Sequence, residues 1–287
     1  MADAVSICEV SPRDGLQNEK IQVSTEAKVR LIDLLSATGL RYIEAASFVS
    51  PRWVPRMADG GEVMDRISRR AGITYAALVP NQRGYEAALA VRCDEVAVFA
   101  AASETFSQRN INCSIAESMQ RYGLVCRRAA RDGVPVRGYV SCVVACPYEG
   151  PIRPVAVLNV AAALRDMGCR EISLGDTIGV ATGADVAALL DAIVKHIPPA
   201  ALAGHFHDTR GGALACIRES LKYGLRVFDA SVGGAGGCPF APGAKGNVAT
   251  EQVVAMLAGE NHATGIDPAA LADASRFIST ILGRSHD

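Results

Sequence analysis

Short apolar runs alternate with longer segments of helical periodicity from one end of this chain to the other. Runs suited to strands fall at Val5–Val10, Tyr42–Ala46, Ile73–Val79, Glu95–Ala100, Val136–Val143, Glu171–Leu174, Leu202–His207 and Val227–Val232. Between them, helical patterns cover Thr25–Thr38, Asn81–Ala90, Ile115–Arg131, Val155–Met167, Asp185–His196 and Gly212–Tyr223. Several of these run into a glycine just before the next strand, as in Thr38-Gly39-Leu40, Asp132-Gly133-Val134, Met167-Gly168-Cys169 and Tyr223-Gly224-Leu225. Glycine there takes the left-handed conformation that ends a helix. Eight strands alternating with helices in one unbroken series predict an α/β protein, a parallel (β/α)8 TIM barrel forming a single catalytic domain over residues 1–287. The alternative, an open doubly wound sheet, would place a glycine-rich turn after the first strand, where this chain reads Ser11-Pro12-Arg13-Asp14-Gly15. Residues 262–287 predict a C-terminal helical extension.

A barrel of this kind should gather its catalytic groups at the carboxyl ends of its strands. Arg13 and Asp14 follow the first strand, Glu44 sits inside the second, Asp176 follows the sixth, and His205 and His207 end the seventh. Alternate residues of a strand share a face, so the two imidazoles project together. After the eighth strand comes a glycine-rich loop, Gly233 to Gly246, carrying Cys238 and followed by Asn247. Paired imidazoles at the end of a buried strand are poor packing material and good metal ligands. The alternative is a pair of satisfied core histidines.

A plausible shell is Asp14, His205, His207 and Asn247: mixed oxygen and nitrogen donors without a thiolate, which suits Mg2+ or Mn2+. Zn2+ is the lesser alternative, since two histidines and a carboxylate also make a catalytic zinc set. Such an ion would chelate substrate oxygens as a Lewis acid. Arg13 could steady a developing oxyanion with Glu44 fixing its orientation, or the two could form a purely structural ion pair. A loop as long as that around Cys238 suggests a lid delivering a thiol as acid, base or nucleophile.

Bulk properties narrow the function. Apolar residues make up 49% and charged residues 21%, which suits a globular protein with a substantial core, and a net charge of -1 argues against nucleic-acid or membrane-surface partners. No apolar stretch reaches the ~20 residues of a membrane span. The first residues lack the pattern of a presequence or signal peptide, so the expected compartment is the cytoplasm, with the mitochondrial matrix open only to a processed chain. Nine scattered cysteines with no paired CxxC framework favour free thiols in a reducing compartment.

Long stretches of the chain carry a resemblance: Ser11-Pro-Arg-Asp-Gly-Leu-Gln-Asn-Glu-Lys20, Ala45-Ala-Ser-Phe-Val-Ser-Pro51, Ser103-Glu-Thr-Phe-Ser107, Asn110-Ile-Asn-Cys-Ser114, Ser141-Cys-Val-Val-Ala-Cys-Pro-Tyr-Glu-Gly150, Glu171-Ile-Ser-Leu-Gly-Asp-Thr-Ile-Gly179, Gly236-Gly-Cys-Pro-Phe240 and Gly246-Asn-Val-Ala-Thr-Glu251. In these the chain resembles the 3-hydroxy-3-methylglutaryl-CoA lyases, within the DRE-TIM metal-dependent lyases and acyltransferases. The resemblance implies retro-Claisen cleavage of 3-hydroxy-3-methylglutaryl-CoA to acetyl-CoA and acetoacetate, as in leucine degradation and ketone-body formation. It implies Asp14, His205, His207 and Asn247 as metal ligands and Arg13 as stabiliser of the thioester enolate, with Glu44 as its partner. Asp176 and His205 would border the proton transfers, Cys238 would exchange a proton as the lid closes, and Glu251 would position the loop. Lys20, Asn110 and Asn112 would contact the CoA moiety, and the chain would form a homodimer or higher homo-oligomer. The chain departs from the family at Arg210, Gly212 and Cys216, where tyrosine, glutamine and asparagine are usual. Arg210 adds a cation beside the site and keeps open a related 3-substituted glutaryl-CoA or a citramalyl-type thioester as substrate. A condensing acyltransferase on the same barrel, or a non-catalytic metal-sensing barrel, remain rival classes, and the lid cysteine speaks against the first.

Overall fold

Each of the eight apolar runs forms a strand: β1 (Ser6–Glu9), β2 (Tyr42–Ser47), β3 (Thr74–Leu78), β4 (Glu95–Ala101), β5 (Val136–Ser141), β6 (Glu171–Asp176), β7 (Leu202–Phe206) and β8 (Val227–Ala230). The structure is a computed structural model that describes residues 3–238 and 241–284, with the backbone alone for 238 and 241–245. All eight strands pair in parallel and in chain order, and β8 pairs with β1 to close the barrel. A closed sheet leaves no unpaired edge, and parallel strands need the intervening helices to return the chain. The expected (β/α)8 barrel is therefore present.

The helices that return the chain are α1 (Thr25–Ser36), α2 (Gly60–Arg66), α3 (Gln82–Ala90), α4 (Glu104–Ile111), α5 (Ile115–Asp132), α6 (Pro154–Asp166), α7 (Gly183–Ile193), α8 (Ala213–Lys222), α9 (Thr250–Gly259) and α10 (Pro268–Ile281). Helix α5 shows why the sequence stops and starts where it does. Ser114 and Glu117 form a reciprocal capping box at its start, and Gly133 ends it in the left-handed region at φ 72°. Leu31, Ile32 and Leu35 of α1 are fully buried with Ile43, Val98, Val140 and Ile172 of the strands. Each such side chain contributes about 1.5–3 kcal/mol by leaving water, so Leu35→Ala would cost about 2–5 kcal/mol with its cavity.

Three local features differ from expectation. The fifth strand ends at Ser141 rather than Val143, because Cys142 adopts φ 62° and turns the chain out of the sheet. Helices α2, α4 and α9 sit where no helix was foreseen, the short α2 and α4 beyond the carboxyl ends of β2 and β4. The C-terminal segment begins not as helix but as a two-residue strand, His262–Ala263, paired in parallel with Asp3–Ala4. Helix α10 then packs on α1, and Asp267 donates its backbone N–H to Thr38 O at 2.7 Å. Gly39, at φ 95°, permits that docking: a Cβ there would lie 2.3 Å from Gly265 O. Among the described residues, no helix is long and apolar enough to cross a membrane.

Candidate active site

The carboxyl ends of β1, β2, β6, β7 and β8 carry the polar residues that converge. Beyond β1 the chain makes one wide π-helical turn over Ser11–Gly15, in which Gly15 N–H reaches Val10 O. Gly15 allows the turn to press against the loop after β8, since a Cβ would lie 2.9 Å from Ser231 Oγ. The turn presents Arg13 and Asp14 to the barrel mouth. Arg13 donates to Glu44 Oε2 at 2.7 Å and to Asp14 Oδ1 at 2.6 Å. Glu44 thus has the cationic partner that a carboxylate inside a buried strand requires.

His205 and His207 lie two residues apart at the end of β7, with ring centroids 5.3 Å from one another. Beyond the strand, His207 bridges to Asn247, and Asp208 N–H donates to Gly246 O at 2.7 Å. This pairing carries Asn247 to the mouth, where its Nδ2 donates to Asp14 Oδ2 at 2.8 Å. One possible ligand atom each from Asp14, His205 and His207 lies within 4.8 Å of the others. An octahedral cation with bonds near ~2.1 Å holds neighbouring ligands about 3 Å and opposite ligands about 4.2 Å apart. The donors are thus nearly in place for one ion. Among the described residues, buried His207 Nδ1 also has no hydrogen-bond partner, the condition expected of a group kept for a ligand.

Electrostatics favour the liganding forms. Burial raises the Asp14 carboxyl, but Arg13 and the two imidazoles outweigh it and hold it at about 2. Burial and the neighbouring His205 push His207 down to about 4, leaving it neutral with lone pairs available. His205 behaves oppositely. Burial lowers it, yet the hydrogen bond and charge of Asp229, 3.1 Å from its Nδ1, bring it above the ordinary histidine value.

Asp176 closes β6 beside His205. One carboxylate oxygen accepts from Ala181 N–H at 2.8 Å, and the other has no partner among the described residues. Burial raises its pKa, so it holds a proton more readily than an ordinary aspartate. Glu251, in the first turn of α9, accepts from Gly233 N–H through both oxygens, at 3.0 and 3.2 Å. It therefore anchors the root of the glycine-rich loop. Glu19 anchors the other side of that root by accepting from Gly236 N–H at 2.7 Å. Within the loop, Gly237–Cys238 pairs antiparallel with Ala241–Lys245; the Cys238 side chain lies outside the described residues. Lys20, Asn110 and Asn112 are exposed, on the rim rather than in the buried cluster. Asn112 is also the left-handed cap of α4, at φ 50°. Of the departures, Arg210 is exposed, while Cys216 donates to Ala181 O at 3.3 Å behind the segment that Asp176 caps.

Four buried residues of the cluster were not foreseen: Arg137 and Tyr139 on β5, Ser173 on β6 and Asp229 on β8. Tyr139 OH donates to Glu44 Oε2 at 2.7 Å, and Ser173 Oγ donates to Asp229 Oδ2 at 2.7 Å. The signal that picked out Glu44, a charge inside an apolar strand, was equally present for Arg137 and Asp229.

The chain matches the HMGL-like family over residues 4–278. It is 55% identical to the 3-hydroxy-3-isohexenylglutaryl-CoA/hydroxymethylglutaryl-CoA lyase of Pseudomonas aeruginosa, over 98% of this chain and 94% of that protein. It is 53% identical to the hydroxymethylglutaryl-CoA lyase of Pseudomonas mevalonii, over 99% of this chain and 94% of that one. Among solved structures, the HMG-CoA lyase of Brucella melitensis superposes with a TM-score of 0.97 at 56% identity, covering 98% of this chain and all of its own.

Proposed function

Because this chain belongs to the HMGL-like family, we propose that it is a divalent-metal-dependent carbon–carbon lyase that cleaves 3-hydroxy-3-methylglutaryl-CoA to acetyl-CoA and acetoacetate. The observation that carries the metal-dependent mechanism is the convergence of Asp14, His205 and His207 at the barrel mouth. Asn247, whose Nδ2 donates to Asp14 Oδ2, would complete the set by turning its amide so that the oxygen faces the cation. The mixed oxygen and nitrogen donors favour Mg2+ or Mn2+. A cation bound there would offset the charge of an ionising 3-hydroxyl and so ease its deprotonation.

The remaining steps fall to the chain's own residues. The hydroxyl proton passes to the free oxygen of Asp176, which borders the liganding His205, the C2–C3 bond breaks, and C3 becomes the ketone of acetoacetate. The electron pair of the broken bond goes to C2 as a thioester enolate. Arg13, held by Glu44, places its guanidinium against that enolate oxygen; one such contact is worth roughly 3 kcal/mol of barrier. Cys238 delivers a proton to C2, giving the acetyl methyl group, while Glu251 holds the loop that carries it. Closing the loop keeps water from protonating the carbanion prematurely. Lys20, Asn110 and Asn112 lie on the exposed rim, where the CoA moiety would enter.

The test is a panel of CoA thioesters incubated with the purified chain and Mg2+ or Mn2+, with both products read by mass spectrometry. Acetyl-CoA and acetoacetate should form from 3-hydroxy-3-methylglutaryl-CoA, cease with chelator and return with Mn2+. A chain that releases acetyl-CoA from no 3-hydroxy-3-alkylglutaryl-CoA would overturn the proposal. A longer 3-alkyl substituent is the second reading, favoured by the isohexenylglutaryl-CoA named for the Pseudomonas aeruginosa relative. Thiol release from acetyl-CoA plus a 2-oxo acid would mark a condensing acyltransferase instead.

A further inference from the structure

Arg137 lies inside the barrel with no exposed surface. Its guanidinium spends one donor on each of three partners: Nε on Glu171 Oε1 at 2.7 Å, Nη1 on Tyr139 OH at 2.8 Å, and Nη2 on Asp229 Oδ1 at 2.7 Å. Two of those partners lead to opposite halves of the site. Asp229 meets His205 Nδ1 at 3.1 Å and takes a further hydrogen bond from Ser173. Tyr139, having accepted from Arg137, donates to Glu44 Oε2, the same oxygen that anchors Arg13.

We propose that Arg137 is a positioning residue that sets both halves of the site at once, the cation half through Asp229 and His205 and the enolate half through Tyr139, Glu44 and Arg13. The inference rests on the metal-dependent reading above and adds the part that this buried guanidinium plays in it. An ionised aspartate only accepts hydrogen bonds, so the contact with Asp229 places the proton on His205 Nδ1 and leaves the Nε2 lone pair for the cation. With Asp229 pinned by Arg137 and Ser173, the ring cannot swivel without breaking a buried hydrogen bond. On the other branch, a Tyr139 hydroxyl that accepts from Arg137 must point its own hydrogen at Glu44. That hydrogen bond fixes the carboxylate on which Arg13 rests. Three partners at fixed angles require a planar fork; an ammonium at the end of a flexible stem cannot serve them together.

Three variants test this: Arg137→Lys, which keeps the charge, Asp229→Asn and Tyr139→Phe. Each is measured for Mn2+ affinity by electron paramagnetic resonance of free Mn2+, for kcat and KM, and for thermal unfolding. Asp229→Asn should weaken Mn2+ binding by ~10–100-fold, the usual effect of losing the partner of a liganding histidine. Tyr139→Phe should leave the Mn2+ constant unchanged and lower kcat by roughly 10-fold at similar KM. Arg137→Lys should do both, and adding it to Asp229→Asn should weaken Mn2+ binding no further, since both act through one contact. Arg137→Lys that binds Mn2+ and turns over like wild type would overturn the proposal, as would fully additive Mn2+ losses in the double variant. Should Arg137→Lys fail to fold, the other two decide. The opposite split between affinity and kcat supports the proposal, and equal effects on both, or none, contradict it. A wild-type chain that binds Mn2+ but cleaves no thioester would refute the lyase reading and leave the Mn2+ comparison standing, whereas one that binds no Mn2+ would refute both.

Discussion

The two ends of the barrel interior hold the same kinds of side chain in different states. Toward the amino ends of the strands, Arg170 donates to Glu95 at 2.6 Å and Tyr42 OH donates to the same carboxylate. A cavity of about 200 Å3 opens there, lined in part by Tyr42, Arg170 and Glu171, yet it holds none of the converging ligand atoms. At the carboxyl end, Arg13 likewise pairs with Glu44 and Asp14, but Arg13 Nε, Glu44 Oε1, Asp176 Oδ1 and His207 Nδ1 are buried without partners among the described residues. Unsatisfied buried polar groups cost about 1–3 kcal/mol each, so a fold retains them where something else is meant to meet them. Ion pairing therefore does not distinguish the functional end. The unused hydrogen-bonding capacity does: among the described residues it gathers at the carboxyl end, with His262 Nδ1 near the amino end as an exception.

The largest expected break in this comparison comes from the cation side. Asp14→Ala should take turnover down further than the ~10–100-fold typical of losing an outer-shell partner, with unfolding temperature little changed. Equal turnover with and without Asp14 would erase the distinction between the two ends. Cys238→Ser should lower kcat by ~10²–10⁴ with modest change in KM, because a poorer proton donor affects the chemical step. Full activity after alkylation of that thiol would remove it from the mechanism. Next comes Arg13→Met, at roughly 10²–10³ in kcat.

Two smaller effects sharpen the contrast from the satisfied residues. Glu9 lies at the carboxyl end of β1 yet accepts from Ser11 N–H, Val232 N–H and Thr250 Oγ. Burial pushes it up from 4.5 to about 7, with those donors restraining the rise. The folded state therefore binds this proton more tightly than the unfolded chain. Its contribution, up to roughly 3 kcal/mol, is fully present below pH 4.5 and is lost as pH rises through about 7. Glu9→Gln should flatten the pH dependence of Tm across that window; an unchanged slope would show that Glu9 is ionised in the fold. At the opposite end, Arg170→Met should cost about 1 kcal/mol, because a half-exposed arginine leaves a buried Glu95, and should leave kcat intact. A loss of activity there would mean that the two ends are not separable.

Much of this was legible in the residues because it is local. Strand alternation placed His205 and His207 on one face, helix-ending glycines marked the strand starts, and Glu44 stood out as a carboxylate in an apolar strand. The shape of the turn at Ser11–Gly15 was not legible, since a π-helical turn leaves no distinctive pattern. Nor was the bridge from His207 to Asn247, which joins residues forty positions apart through backbone alone. Arg137 and Asp229 carried the same local signal as Glu44, a charge inside an apolar strand, which does not show their partners. Their significance lies in which strands become neighbours, and only closure of the barrel sets that.

The most direct test of the central claim is pulsed electron paramagnetic resonance of the Mn2+-loaded chain, compared with its Asp14→Ala variant. The account predicts nitrogen couplings from two imidazoles in the wild-type chain and loss of tight Mn2+ binding in the variant. A Mn2+ site without imidazole coupling, or one indifferent to Asp14, would contradict it.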